Sequence, residues 1–341
     1  MDSNQGFGVF RVSDRFQLGH SGGGGRQIAE QLMLPGFTVF GAGFLPASED
    51  TRVFVLLATA LNLGLELLET LGGRQMLREL GLACINGWAA TGAQNFAGDV
   101  LRMSDYVEHF LQRMRAFTPM VTLGSDMKNR DTIAGIGKFE AATFQLDNFV
   151  PNLYMHYAVN LEIVRAMELN DRQLWRPFRA GEETQQQYEA DRKNLKSRHN
   201  TLLFILGIAF YHETCHMFTA YLAGNGVTDS PLNVTYLEYG EDQKNESSGE
   251  SGRWAEAHLL GGSLEVYRDT NEGDDTSHGA ARRIKESTIQ SFVENVRTCP
   301  MPLKTFDRAV TPETRIRIGL RSFAHTNTGT HHQAGQAMSA L

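Results

Sequence analysis

The chain has 341 residues, of which 41% are hydrophobic, enough to bury a substantial core in one large domain or two closely packed ones. A net charge of −7, a pI near 5.9 and the lack of a basic run exclude a chain built to track phosphate backbones, so no nucleic-acid partner is expected. Cys84, Cys215 and Cys299 are odd in number and far apart, which argues against a disulfide framework and for a reducing compartment.

No basic segment followed by an apolar one opens the chain. The longest apolar runs, Val53 to Ala60 and Leu202 to Tyr211, fall short of the roughly 20 residues that span a bilayer. A cytoplasmic protein with no membrane anchor is therefore expected, and the sequons at Asn233 and Asn245 carry little weight. Composition says nothing about oligomeric state.

Residues 1–48 are rich in glycine and weak in helical periodicity, which predicts an irregular N-terminal segment. The tract Gly22 to Gly25 leads into Arg26 to Leu32, which has the composition of a helix start. A glycine loop feeding a helix can cradle phosphate, but here no Lys-Ser/Thr ending follows and no strand precedes it, so a flexible loop is the better reading. Gly41-Ala42-Gly43 reads as a turn.

Residues 49–118 read as helical. Leu57, Leu61, Leu65 and Leu68 form a core face, Gly72-Gly73 interrupts it, and Leu77 to Leu82 resumes it. Tyr106, Phe110, Met114 and Phe117 mark a further amphipathic helix. Met120 to Ile136, with Gly124, Asp126, Asn129, Asp131 and Gly135, reads as a loop and a place for a domain seam. The aromatic and β-branched positions of residues 139–168 fit strand or helix equally. Gly181 to Asn200 is polar and predicts a solvated helix or excursion leading into a central helix.

That central helix is expected to start near Asn200-Thr201 and to stop at Gly224-Asn225-Gly226. It carries His212-Glu213-Thr214-Cys215-His216. The two histidines are four residues apart, about one turn, so both imidazoles project from one face as ligands for one metal ion. Glu213 stands one position round, where it reaches a water on that metal rather than the metal itself. Ile205, Ile208, Ala209, Thr219 and Ala223 share the face and would keep water from the ligands. The bland alternative, two histidines and a glutamate buried on a helix without a metal, would be costly to desolvate. Cys215, lying between the ligands, reads as a small apolar filler rather than a nucleophile.

A catalytic zinc takes three protein ligands. A third histidine six residues beyond His216 is excluded, because that position is Leu222. The stretch from Ser248 to Gly262 reads as a second helix offering Glu250, Glu256 and His258. On a helical wheel Glu250 shares a face with Trp254, Ala257 and Gly261, and Glu256 lies about 240° away, so only one carboxylate is expected to face the metal. Glu250 is favoured, with Glu256 and His258 as alternatives.

The pattern His212-Glu213-x-x-His216 followed by a glutamate on a second helix resembles the gluzincin branch of the zincin metallopeptidases. Gly249-Glu250-Ser251-Gly252-Arg253-Trp254-Ala255-Glu256, closed by Gly261-Gly262, is similar to a group of poorly characterised fungal zincin-like proteins. The likeness covers residues 200 to 265, and the Asn-Glu-x-x-Ser-Asp helix of the thermolysin group is absent. It implies a helix-rich α+β zincin-like fold and a zinc-dependent hydrolase acting on a peptide or small amide. Zn2+ would be held by His212, His216 and Glu250, and Glu213 would activate a water. Tyr236, Tyr239, His258 and Tyr267 have the chemistry of an oxyanion donor. The expected organisation is one catalytic domain over residues 49–323, divided into halves at 180/181, with residues 268–280 and 324–341 mobile. Two other classes stay open: a non-haem iron oxidase or oxygenase using the same ligand set, and a non-catalytic zincin-fold binding protein. A di-iron bundle is excluded by the lack of a second Glu-x-x-His pair.

Overall fold

The computed structural model describes residues 29–40, 51–93, 95–124, 133–138, 144–181, 183–224, 230–235, 249–262, 264, 267–269, 281–310 and 315–317. The glycine tracts at 22–25 and 41–43 lie outside them.

Helix α1, Arg52–Leu68, starts where Thr51 Oγ1 accepts the Phe54 amide at 3.3 Å. From Phe54 onward every residue except Glu66 is buried, so this helix is apolar all round and forms part of the core itself. Helix α2, Leu71–Ala90, turns away from α1 by 74°. The break expected at Gly72-Gly73 lies earlier, at Glu69-Thr70. Thr70 caps α2, accepting Gly73 N at 3.0 Å, and the glycine pair sits inside the first turn. A Cβ on Gly73 would meet Leu67 O at 2.2 Å, so the corner needs glycine there to close. Helix α3, Met103–Ala116, buries Phe110 and Met114 as its periodicity predicts.

A four-stranded mixed sheet follows: β1 Val39–Phe40, β2 Val121–Gly124, β3 Ala134–Lys138 and, after the single turn α4 Pro151–Tyr154, β4 Met155–Asn160. Its order is β1-β2-β4-β3, with β1, β2 and β4 parallel and β3 antiparallel on the edge. The stretch read as loop and domain seam thus supplies two strands of one sheet. Strands this short are stabilised by burial of Val121 and Ala134 and by pairing with β4, which a local reading of Gly and Asp content does not register.

Helix α5, Leu161–Leu174, is capped by Asn160. Helix α6, Gln185–Ala223, is 39 residues long, starting well before the expected Asn200-Thr201. Thr184 and Gln187 form a capping box, and pairs such as Gln185 to Glu189 at 2.7 Å support the solvated first half. One helix therefore has a polar half and a buried half, and the change in polarity marks entry into the core rather than a new helix. It ends as expected at Gly224, whose φ of 64° is left-handed. By length and composition α6 could cross a bilayer, but 83% of its apolar window is buried inside the protein.

Two contacts set α6 in place. A Cβ on Gly64 of α1 would lie 2.8 Å from Gly207 O and 2.9 Å from Tyr211 N, so the two backbones touch at this crossing. On another side, the fully buried Tyr157 of β4 places its hydroxyl 2.7 Å from Thr214 Oγ1, which donates to Phe210 O at 2.6 Å.

Helix α7, Ser251–Leu260, and helix α8, Glu286–Glu294, pack on α6. Two small antiparallel ribbons complete the described chain: β5 Tyr267–Asp269 with β8 Arg315–Arg317, and β6 Ala281–Ile284 with β7 Thr305–Val310. One hydrophobic cluster runs from Ala29 to Leu303 and draws on residues both before and after 180. The architecture is helix-rich with a small mixed sheet, an α+β arrangement.

Candidate metal centre

Within Leu202 to Ala223 every residue is buried except Ala209, His212 and His216. Their spacing of three and four places them on one line of the helix surface. The histidines therefore occupy the single opening of an otherwise enclosed segment, with Ile205, Ile208, Thr219 and Ala223 buried around them. Their ring centroids are 5.1 Å apart.

Helix α7 lies against this opening. Glu250 is its N-cap, with φ −135° and ψ 85°, and not a residue of the helix body. Its Oε1 accepts Gly252 N at 3.1 Å and Arg253 N at 3.4 Å. Glu250 is thus the carboxylate grouped with the two histidines, as ranked, but not for the helical-wheel reason, since an N-cap side chain folds back over the first turn instead of following the wheel. The face expected to point inward is also corrected. Ser251, Gly252, Ala255, Glu256, Leu259 and Leu260 are buried, whereas Trp254, Ala257 and Gly261 are not.

Both carboxylates reach His212, from opposite ends of its ring. Glu250 Oε1 is 3.3 Å from His212 Nε2 and 2.6 Å from His216 Nε2. Glu256 Oε1 is 2.8 Å from His212 Nδ1, and its other oxygen accepts Leu264 N at 2.7 Å. Ser251 Oγ is 3.0 Å from His216 Nδ1. Tyr211 donates its hydroxyl to Ala255 O at 2.9 Å, clamping α7 to α6 beside these contacts. A Cβ on Gly252 would lie 2.3 to 2.5 Å from three atoms of the His212 ring, so only glycine lets the helix approach that closely.

His212, His216 and Glu250 each offer one donor atom within 4.8 Å of the others, and among the described residues they are the one such group. The set fits zinc in type, two imidazole nitrogens and one carboxylate oxygen. It also fits in size. Tetrahedral ligands at about 2.0–2.1 Å stand about 3.3 Å apart, the observed His212 to Glu250 separation, while the 2.6 Å His216 contact would widen to admit an ion. Glu256 addresses Nδ1, on the other side of the ring from Nε2, where it would orient His212 rather than share an ion with it.

Glu213 is 8% exposed, and its Oε1 lies 4.0 Å from His212 Nε2. Burial raises its pKa, partly offset by His212 and His216 and reinforced by Glu250 and Glu256. Burial would also push Glu250 up, but His216 and His212 outweigh it and hold that carboxyl well below the usual range. Burial opposes charge on His212, yet Glu250 and Glu256 prevail and raise its pKa well above the ordinary value.

The other expected site residues lie apart or out of view. His258 is on the exposed side of α7, its ring stacked on Trp254 at 3.6 Å and its Nδ1 2.7 Å from Trp254 O, so it is not brought to the histidine pair. Tyr236, Tyr239 and the side chain of Tyr267 lie outside the described residues. Cys215 is fully buried, which pushes its thiol well up. Sequence reasoning missed Ser251, Gly252 and Tyr211. The small pair Ser251-Gly252 directly after a glutamate was the available signal for close helix approach.

Ser251, His216 and Glu250 also line up as hydroxyl, imidazole and carboxylate. With Ser251 at 0% exposure, its oxygen cannot meet a substrate, so this is an orienting chain and not a nucleophilic triad. No protein-family model, curated protein or solved structure matches the chain.

Proposed function

We propose that this protein is a zincin-like hydrolase that holds one zinc ion on His212, His216 and Glu250 and cleaves a peptide or small amide. The observation that carries the reading is the convergence of two Nε2 atoms and one carboxylate oxygen at the opening of a buried helix, with Glu213 beside them. An ion in that position polarises a carbonyl and lowers the pKa of a water toward about 7.

The chain's own groups do the rest. Glu213, buried with its Oε1 4.0 Å from His212 Nε2, removes the proton from the attacking water and returns it to the leaving nitrogen. Glu256 and Ser251 fix the imidazole orientations from behind. Strand β3 is one edge of the sheet, and its Ile136 pairs with Tyr157, whose hydroxyl reaches the residue after Glu213. Its outer side has no strand partner among the described residues, a surface on which an extended peptide can add hydrogen bonds. Non-haem iron uses the same ligand types, but a buried glutamate next to the ligands serves a hydrolytic water and has no evident use in oxygen chemistry.

Metal analysis of the purified protein should find about one zinc per chain. Glu213→Gln should keep that zinc and lose cleavage of a quenched-fluorescence peptide library. Iron with oxygen-dependent turnover, or undiminished cleavage by the Gln variant, would overturn the reading.

A further inference from the structure

The two histidines of the motif are equally exposed, at 18% and 16%, yet they are backed by different chemistry. Behind His212 stands a carboxylate. Glu256 is 3% exposed, its Oε1 is 2.8 Å from Nδ1, and its Oε2 is tied to the Leu264 amide, so it cannot swing away without breaking a second hydrogen bond. The His212 ring also lies against Gly252, where a Cβ would stand 2.3 to 2.5 Å from three of its atoms. Behind His216, among the described residues, stands the neutral hydroxyl of Ser251, 3.0 Å from Nδ1.

We propose that the two histidines are unequal ligands, His212 anchoring the ion through the Glu256 carboxylate and His216, backed by the Ser251 hydroxyl, being the one that gives way. The inference rests on the metal-binding part of the function above and is independent of hydrolysis. With Nε2 directed at the ion, Nδ1 of each ring carries a hydrogen and donates it backward. A charged acceptor makes a shorter and roughly twofold stronger bond than a neutral one, and it leaves more electron density on Nε2 for the ion. Glu256 and Ser251 are thus positioning residues of unequal strength, and the site has a fixed side on His212 and a yielding side on His216. A chelator or an incoming ligand displaces His216 first.

The test uses the full chain and zinc alone, competed against a chromophoric chelator. Loss of an orienting partner weakens metal retention about 10–100-fold. Glu256→Gln should fall at the upper end of that range and Ser251→Ala at the lower. In zinc-loaded wild-type protein with 15N-labelled histidine, both Nδ1 atoms should carry hydrogen, and the His212 proton should resonate further downfield and exchange more slowly. Glu256→Gln should abolish that difference, which a general loss of packing would not do. Thermal melting of the metal-free variants separates misfolding from ligand weakening. Equal losses in the two variants, or indistinguishable Nδ1 protons in the wild type, overturn the inference while leaving the zinc site standing. A wild-type chain that binds no zinc overturns both.

Discussion

Replacing Gly252 with alanine adds one methyl group between α7 and the His212 ring. Its carbon would stand 2.3 Å from Cδ2, 2.4 Å from Nε2 and 2.5 Å from Cε1. Carbon contacts are comfortable only from about 3.5 Å, so the ring or the helix must withdraw by about 1 Å. The ring cannot do so freely. It is held at Nδ1 by Glu256 at 2.8 Å and faces Glu250 at 3.3 Å, and a shift of that size takes the first beyond hydrogen-bonding range. Overpacking of this kind costs about 1–3 kcal/mol, and a displaced ligand costs metal affinity about 100-fold, the upper end for a disturbed orientation. Chelator competition gives the affinity and thermal melting the stability. An alanine variant that melts with the wild type and retains zinc as tightly would show that the helix approach is not constrained by this glycine.

Two further outcomes follow from burial. The thiols of Cys84 and Cys299 are pushed up by burial to about 12 and about 11, and that of Cys215 well above its ordinary value. At about pH 8 an alkylating agent should therefore modify none of the three in native protein and all of them in denaturant, as mass spectrometry would show; rapid native labelling would refute it. The buried His199 ring is held near pKa 4, down from 6.5, chiefly by burial, with Asp171 offsetting only part. Between those pH values the unfolded chain binds the extra proton, so stability is intact above 6.5 and falls as pH drops toward 4, by about 3 kcal/mol in full. Denaturation of a His199→Gln variant across that range should show a flatter slope, and an identical slope would exclude this residue.

Much of the site was legible from spacing alone. Two histidines four apart in an apolar run had to share a helix face, and Gly224 had to end that helix, because both follow from helix geometry and the left-handed preference of glycine. The amphipathic helix around Phe110 and Met114 was legible for the same reason. The start of α6 was not, since a polar first half gives no hydrophobic period and its signal is the Thr184 capping box. The short strands β2 and β3 escaped because their stability comes from β4, a partner distant in sequence. Glu250 was favoured as the third ligand but read as a residue of the helix body, so its cap position was not legible, nor was the contact of Glu256 with the far side of the His212 ring.

The cap position of Glu250 has an electronic consequence. The oxygen that faces both Nε2 atoms also accepts two backbone amides at the positive end of α7. Part of its lone-pair density is already committed, so it is a poorer donor to a cation than a solvated carboxylate would be. A cation bound there would keep more of its own charge and would polarise a water or carbonyl more strongly. The same oxygen caps the start of α7, so any cation held there would share its donor with the first turn of the helix.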